Sequence, residues 1–310
     1  MIKVQQTSLF VLNKLNEIIR TGSSPEDHSF VHSAYERTIN LMIDGQLIAL
    51  QVNGSPVSPI SVILPLNSTE IRDLDAHEGQ EIVLEENNIV IGKTTITFDA
   101  STAVYDGYLN KYNFNADIKH LIKSIIEKAH RGGFSFLTDP AKVPDDLVLS
   151  YVKQKLKAVI TYIHCGRTEA AAEAISSLIG VGTGLTPSGD DFITGMLSAF
   201  SAFPEAFNQD IVEQIRNSVS LNLQNTNEIS MAFIKCALDN QFSVPVISLY
   251  QWLCSENGSP EARKSQSDKI LQSFLAIGHS SGIDTLTGIW WALENLGMEL
   301  DFFGNFSTSF

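Results

Sequence analysis

Apolar residues at Leu9, Leu12, Leu15, Ile18 and Ile19 recur every three or four positions, which predicts an amphipathic helix from Ser8 to Arg20. The polar stretch Thr21 to Asp27 ends it. Strand patterning follows. Asn40-Leu41-Met42-Ile43 and Leu47-Ile48-Ala49-Leu50 flank Asp44-Gly45, a dipeptide that accepts the positive φ angles of a tight hairpin turn. Ile60 to Leu64, Glu81 to Glu85 and Ile89 to Phe98 are further strand candidates, separated by clusters of Gly, Pro, Asn and Asp. A small β-rich unit is expected from Phe30 to about Tyr108.

From Asp117 the apolar spacing changes to three and four. Leu121, Ile122, Ile125, Ile126 and Ala129 lead to a stop at Gly132-Gly133. Pro144, with Asp145 and Asp146, opens a segment carrying Leu147, Tyr151, Val152, Leu156, Val159, Ile160 and Ile163 that ends at Gly166. Thr168 is placed to cap an Ala-rich helix that terminates at Gly180. Later helices are predicted over 192–203, 210–221, 228–238, 244–254, 268–277 and 284–296. The fold class is α+β: a β-rich domain with an N-terminal helix over 1–112, then a mainly helical domain over 113–310.

Within that helical half one eight-residue word occurs twice, as Ser188-Gly189-Asp190-Asp191-Phe192-Ile193-Thr194-Gly195 and as Ser281-Gly282-Ile283-Asp284-Thr285-Leu286-Thr287-Gly288. Each copy follows a glycine-bearing loop, Gly180 to Pro187 or Gly278-His279-Ser280, and runs into an apolar helical segment. Ser with Asp three residues later reads as a capping box, the side chains satisfying N–H groups that the first helical turn leaves unpaired. The glycines allow close approach to the main chain, and the helix dipole favours an anion there. Two such termini are expected to face one pocket. A serine-capped turn is also a good helix start anywhere, and Thr194-Gly195 and Thr287-Gly288 also suit close helix packing. Capping leaves Asp190 unexplained, because it adds a second carboxylate beside Asp191.

Familiar nucleotide loops do not fit. The run of glycines at 180–184 follows a helix instead of a strand, and no lysine follows the glycines as a Walker loop requires. Between Arg167 and Arg216, and from Lys269 onward, the chain has no Lys or Arg. An anion at these loops is therefore held by backbone N–H groups, by the hydroxyls of Thr183, Thr186, Ser188, Ser280 and Ser281, and by helix dipoles. Such donors suit a singly charged carboxylate. A phosphate beside Asp190, Asp191 and Asp284 needs Mg²⁺, a distant cation or another subunit. No cofactor is fixed by these residues; Mg²⁺ on Asp190, Asp191 and Asp284 is the candidate metal.

His279, adjacent to the second word, is a candidate proton donor, since imidazole is the side chain suited to proton transfer near neutrality, or else a donor to a loop carbonyl. Asn225, Thr226 and Ser230 sit at the start of the 228–238 helix and either turn toward the same pocket or cap that helix. Trp290 and Trp291 read as packing residues. Cys165, Cys236 and Cys254 are widely spaced with no C-x-x-C pair, so free thiols are expected, and adjacency of His164 and Cys165 does not make a catalytic pair.

Composition adds bounds. The 310 residues are 44% hydrophobic, enough for a sizeable core, and the net charge of −14 argues against nucleic acid or an anionic membrane as partner. No apolar run reaches the roughly 18 residues of a spanning helix, and Asn13, Lys14, Asn16 and Glu17 interrupt the place of a signal peptide. A cytoplasmic location is expected.

The stretch Leu178 to Phe192, followed by Gly278-His279-Ser280-Ser281-Gly282-Ile283-Asp284, resembles the AllH-like family, which contains the oxamate carbamoyltransferase subunit. Thr226 to Ser230 falls where members carry Thr and Ser, while Thr183 stands where many carry Pro. The resemblance implies a subunit of a complex, working with other protein subunits in purine and allantoin catabolism, that turns oxalurate and phosphate into oxamate and carbamoyl phosphate. It places substrate on Gly182, Thr183, Gly184, Thr186, Ser188, Gly189, Thr226, Ser230, Ser280, Ser281 and Gly282. His279 or one of Asp190, Asp191 and Asp284 then manages the proton. A non-catalytic metabolite-binding scaffold and a Mg-dependent nucleotide or acyl-phosphate binder remain as alternatives.

Overall fold

The structure, a computed structural model, describes residues 1–21, 29–129, 132–139, 141, 146–255 and 260–298. Most of the expected polar break at 21–27 and the helix start at Pro144 and Asp145 lie outside them. Two compact units emerge. One comprises Met1–Tyr108 with Gln241–Ile247, the other Leu109–Asn240 and the chain from Ser248 onward. The fold is α+β, with sheet in the first part of the chain and helices after it.

The first unit contains β1 (Ile2–Lys3), β2 (Gln6–Ser8), α1 (Leu9–Thr21), β3 (Ser29–Ala34), β4 (Thr38–Ile43), β5 (Gln46–Gln51), β6 (Ser61–Ile63), α2 (Ser68–Arg72), β7 (Ile82–Glu85), β8 (Asn88–Ile91), β9 (Thr94–Thr97) and β10 (Ala103–Tyr105). A six-stranded sheet runs β10-β2-β6-β5-β4-β3 and a four-stranded one β1-β9-β8-β7. The expected hairpin forms: Ile43 pairs with Gln46 across Asp44 (φ 48°) and Gly45 (φ 73°), the left-handed pair a tight turn requires. Alternation buries Ile39, Leu41 and Ile43 of β4. Against them and their sheet neighbours pack Val11, Leu15 and Ile18 of α1. Leu9, counted on the apolar stripe, is instead 40% exposed, and Val11 takes its place in the core. The single run expected at 89–98 is two strands, because Gly92 (φ 55°) turns the chain and Ile91 pairs with Thr94.

The helices that follow are α3 (Asp117–Ala129), α4 (Leu147–His164), α5 (Thr168–Ser176), α6 (Ser188–Ala202), α7 (Gln209–Leu221), α8 (Glu228–Leu238), α9 (Val244–Leu253), α10 (Pro260–Leu275) and α11 (Ser281–Asn295), with a 3₁₀ helix at Gly133–Thr138. The side chain of Asp146 caps α4 by accepting the Leu149 N–H at 2.9 Å, and Gly166 (φ 69°) closes it. Thr168 is the first residue of α5 and not its cap, which falls on Arg167. Helix α10 starts well before the Asp268 expected from the sequence.

In this second unit α6 and α11 form the centre. Both are free of Lys and Arg and apolar almost all round, the composition of a helix enclosed by others. Every residue of α11 from Ser281 to Leu293 is buried. The two helices cross at glycines: a Cβ on Gly195 would lie 2.0 Å from the Thr285 carbonyl oxygen, and one on Gly288 would lie 1.9 Å from that of Phe192. Phe192 also sits between Phe134 (5.7 Å) and Trp291 (5.8 Å), and both tryptophans of α11 are core residues. Among the described residues the three cysteines are unpaired, and no helix is long and apolar enough to cross a membrane.

Candidate functional site

Both repeated words begin a central helix, yet the expected capping boxes are absent. Ser188 and Ser281 are the first helical residues, Pro187 and Ser280 hold the cap positions, and neither end has a side-chain cap bond. Main-chain carbonyls do that work. Gly189 N–H bonds Val181 O at 2.8 Å, Asp190 N–H bonds Pro187 O at 2.9 Å, Gly282 N–H bonds Ile277 O at 3.2 Å and Asp284 N–H bonds Ser280 O at 2.9 Å. The side chains of both words are released for contacts across the helix pair.

Those contacts are reciprocal. Thr186 Oγ1 and Ser281 Oγ lie 2.8 Å apart, which brings the two helix starts together. Ser281 faces Asp191 of the first word, and Ser188 faces Asp284 of the second. The crossing glycines obey the same exchange, since Gly195 meets Thr285 and Gly288 meets Phe192, the matching positions of the two words. The repeat thus builds a local two-fold arrangement around the crossing. Gly189 and Gly282 belong to its packing: a Cβ on either would fall about 2 Å from the carbonyl oxygen of Leu178 or Phe274. Close approach there serves the protein's own main chain.

The three carboxylates differ sharply. Asp190 is buried and saturated: Oδ1 accepts the Gly180 N–H at 2.7 Å, and Oδ2 accepts the hydroxyls of Thr226 at 2.5 Å and Ser230 at 2.6 Å. It ties the loop after α5 to the start of α8. Thr226 and Ser230, grouped by sequence with the ligand donors, spend their hydroxyls on this knot. Both oxygens of Asp190 are thus engaged by neighbouring donors.

Asp191 and Asp284 form the contrasting pair. Asp284 is fully buried, and its Oδ1 accepts the Phe134 N–H at 2.6 Å. Its Oδ2 and Asp191 Oδ2 are both shut off from solvent without a hydrogen-bond partner. Burial pushes the Asp284 carboxyl up to about 6, opposed by the Phe134 amide and by the hydroxyls of Ser188 and Ser280. Asp191 is driven well above the carboxylate range, first by burial and then by repulsion from Asp284 and Asp190. The hydroxyls of Ser281 and Thr186 act against the rise. None of these hydroxyls reaches hydrogen-bond geometry with either Oδ2. The mutual repulsion falls on Asp191 because Asp284 ionises first.

The loop residues differ in exposure. Gly182, Thr183, Gly184, Gly278 and His279 are exposed, while Thr186, Ser188 and Ser280 are half-buried behind them. The metal expectation fares differently. Among the described residues no group of three or more His, Cys, Asp or Glu side chains is arranged to hold a metal ion, because Asp190 faces its own donors and Asp284 is half engaged by Phe134.

Sequence reasoning overlooked Gly133 and Phe134. Gly132-Gly133 was expected only to stop a helix, but Gly133 (φ 70°) turns the chain so that the next amide points at Asp284. A Cβ on Gly133 would lie 2.2 Å from Asp284 Oδ1. A doubled glycine ahead of Phe-Ser-Phe is more than a helix stop needs, and that excess was the available signal.

Residues 6–104 match the family described as the AllH family N-terminal domain, and residues 178–293 match the oxamate carbamoyltransferase subunit AllH. The second match spans both words and the carboxyl pair. No solved structure matches the chain.

Proposed function

The chain belongs to the AllH family, and we propose that it provides the substrate-facing site of an oxamate carbamoyltransferase-type complex, where oxalurate and phosphate become oxamate and carbamoyl phosphate. The observation that carries this reading is the 2.8 Å contact of Thr186 with Ser281, which joins two donor-rich loops above two buried carboxyl groups. The substrate carboxylate and adjacent carbonyl meet amides and hydroxyls of 182–186 and 278–281, a donor set suited to one negative charge. The segments carry no Lys or Arg, so phosphate is met by a cation from elsewhere in the complex. The departing amide nitrogen requires a proton, and His279 of the second loop and the carboxyl groups of Asp190, Asp191 and Asp284 are the candidate acids for it.

Calorimetry with oxalurate, oxamate and phosphate, on the chain alone and on the complex reconstituted with its partner subunits, tests this. Oxalurate is expected to bind, and Thr186→Val to weaken it about tenfold, the loss of one well-placed hydrogen bond. Oxalurate binding that is absent from both preparations, or untouched by Thr186→Val, overturns the reading. Binding to the chain with full turnover by the partners lacking it would make the chain a metabolite-binding scaffold.

A further inference from the structure

We infer that a second ligand site, apart from the glycine loops, lies at the start of α3 and binds a nucleotide, with phosphate on Lys111, His120 and Arg263 and the flat base against Tyr112 and Phe114. The inference does not depend on the proposed carbamoyl transfer.

A cavity of about 910 Å³ lies within the second unit, among residues 111–115, the first two turns of α3, the end of α9 at Leu253 and Cys254, and Arg263 of α10. Small-molecule sites span roughly 300 to 1,000 Å³, so the cavity suits a compact ligand. Its wall is fixed. The Leu109 N–H bonds the Asn240 carbonyl at 3.2 Å, the Asn240 side-chain amide bonds the Leu109 carbonyl at 3.0 Å, and the Tyr112 N–H bonds the Ala202 carbonyl at 2.7 Å. Exposure then alternates along the segment: Lys111, Asn113 and Asn115 are exposed, Tyr112 and Phe114 half-buried. Tyr112 stacks on Tyr250 with ring centroids 6.3 Å apart, and Phe114 meets Phe203 edge-on at 5.5 Å. Both rings are thereby held, with part of each left to the cavity.

Charge selects the class of ligand. In a chain of net charge −14, the described lining of this cavity carries Lys111, Arg263 and the imidazole of His120 against one carboxylate, Asp117. Lys119 and Lys123 of the same helix are committed to α11 instead, through Glu294 at 3.3 Å and the Trp290 ring. Lys and Arg make charge-assisted bonds to phosphate, and aromatic rings stack on nucleobases. A simple anion would leave the rings unused, and an apolar ligand the cations. The cavity is also separate from the carboxyl groups of the repeat. Glu294 is held by Lys119, beside His120, and lies ten residues beyond Asp284 on α11, about 15 Å along the helix axis.

Calorimetry on the full chain with AMP, ribose 5-phosphate and inorganic phosphate, without Mg²⁺, tests this. AMP is expected to bind about tenfold more tightly than ribose 5-phosphate, the contribution of one stacked base, and inorganic phosphate to bind more weakly still. Lys111→Ala and Arg263→Ala are each expected to weaken AMP about tenfold, the loss of one charge-assisted hydrogen bond, while Thr186→Val in the glycine loop leaves it unchanged. No binding of AMP, or binding untouched by both cation variants, overturns the inference. AMP no tighter than ribose 5-phosphate or phosphate overturns the nucleotide assignment, and AMP lost on Thr186→Val puts the nucleotide at the loops and overturns the second site. Should a cation variant not fold, labelling of the unaltered protein decides: saturating AMP is expected to slow maleimide reaction at Cys254 severalfold and to leave Cys165, outside the cavity lining, unchanged. Equal rates at Cys254 with and without AMP count against the site.

Discussion

The replacement Asp284→Asn should stabilise the protein at neutral pH while impairing it. In the folded chain the Asp284 carboxyl titrates at about 6, against 3.8 for a free side chain. Where both states are protonated, below about pH 4, this residue brings no penalty. As pH rises from 4 to 6 the unfolded chain loses this proton and the folded chain keeps it, so stability falls; above 6 the loss is complete. At about 1.4 kcal/mol per pH unit the penalty approaches ~3 kcal/mol. Asparagine keeps an oxygen for the Phe134 N–H and removes the charge, so the variant should match the parent near pH 4 and exceed it by up to ~3 kcal/mol above pH 7. Urea unfolding followed by circular dichroism at half-unit steps from pH 4 to 8 measures this. The difference between the two proteins isolates the residue from other titrating groups. A difference that stays flat with pH, or a variant less stable than the parent at pH 7.5, would refute the account of an uncompensated buried charge.

Gly195→Ala and Gly288→Ala should each destabilise by ~2 kcal/mol or more, since either Cβ meets a helix carbonyl at about 2 Å and forces α6 and α11 apart. Because both demand the same separation, the double variant should lose less than the sum, which chemical unfolding of all four proteins will show. Asp190→Ala strands the Gly180 N–H and two hydroxyls, so a loss of ~3 kcal/mol is expected in chemical unfolding, with faster amide exchange at Gly180.

The fold was largely legible where a single segment carries its own instruction. Asp44-Gly45 announced a left-handed turn, and the structure has it. The helix at 228–238 was bounded by its own periodicity and appears with those limits. What failed to show was information stored elsewhere in the chain. Whether Leu9 or Val11 of α1 faces inward depends on the sheet it meets, and the split of 89–98 into two strands rests on Gly92, whose turn is confirmed only by the partner strand. The short strands β1, β2 and β10 exist through pairing with distant partners, and two or three residues carry no period to read.

The site shows the same division at higher stakes. Its repeated word was visible, and local rules assigned Ser and Asp to cap one another within each copy. That assignment is the best available to a helix start considered alone. The loops changed the problem by offering Val181 and Ile277 carbonyls to the first-turn amides, after which the capping side chains had no local employment. Each serine then turned to the aspartate of the other copy, and each late glycine to the other backbone. Reciprocity of this kind follows from two-fold geometry and cannot be read from either copy. It also explains why the pair stays underpaired: a symmetric crossing supplies matching hydroxyls to matching carboxyls but no cation to either. The Phe134 amide, which comes from outside the repeat, breaks the symmetry. That extra donor, with the hydroxyls of Ser188 and Ser280, holds Asp284 down, while burial and the repulsion of Asp284 and Asp190 raise Asp191, so that Asp284 ionises first.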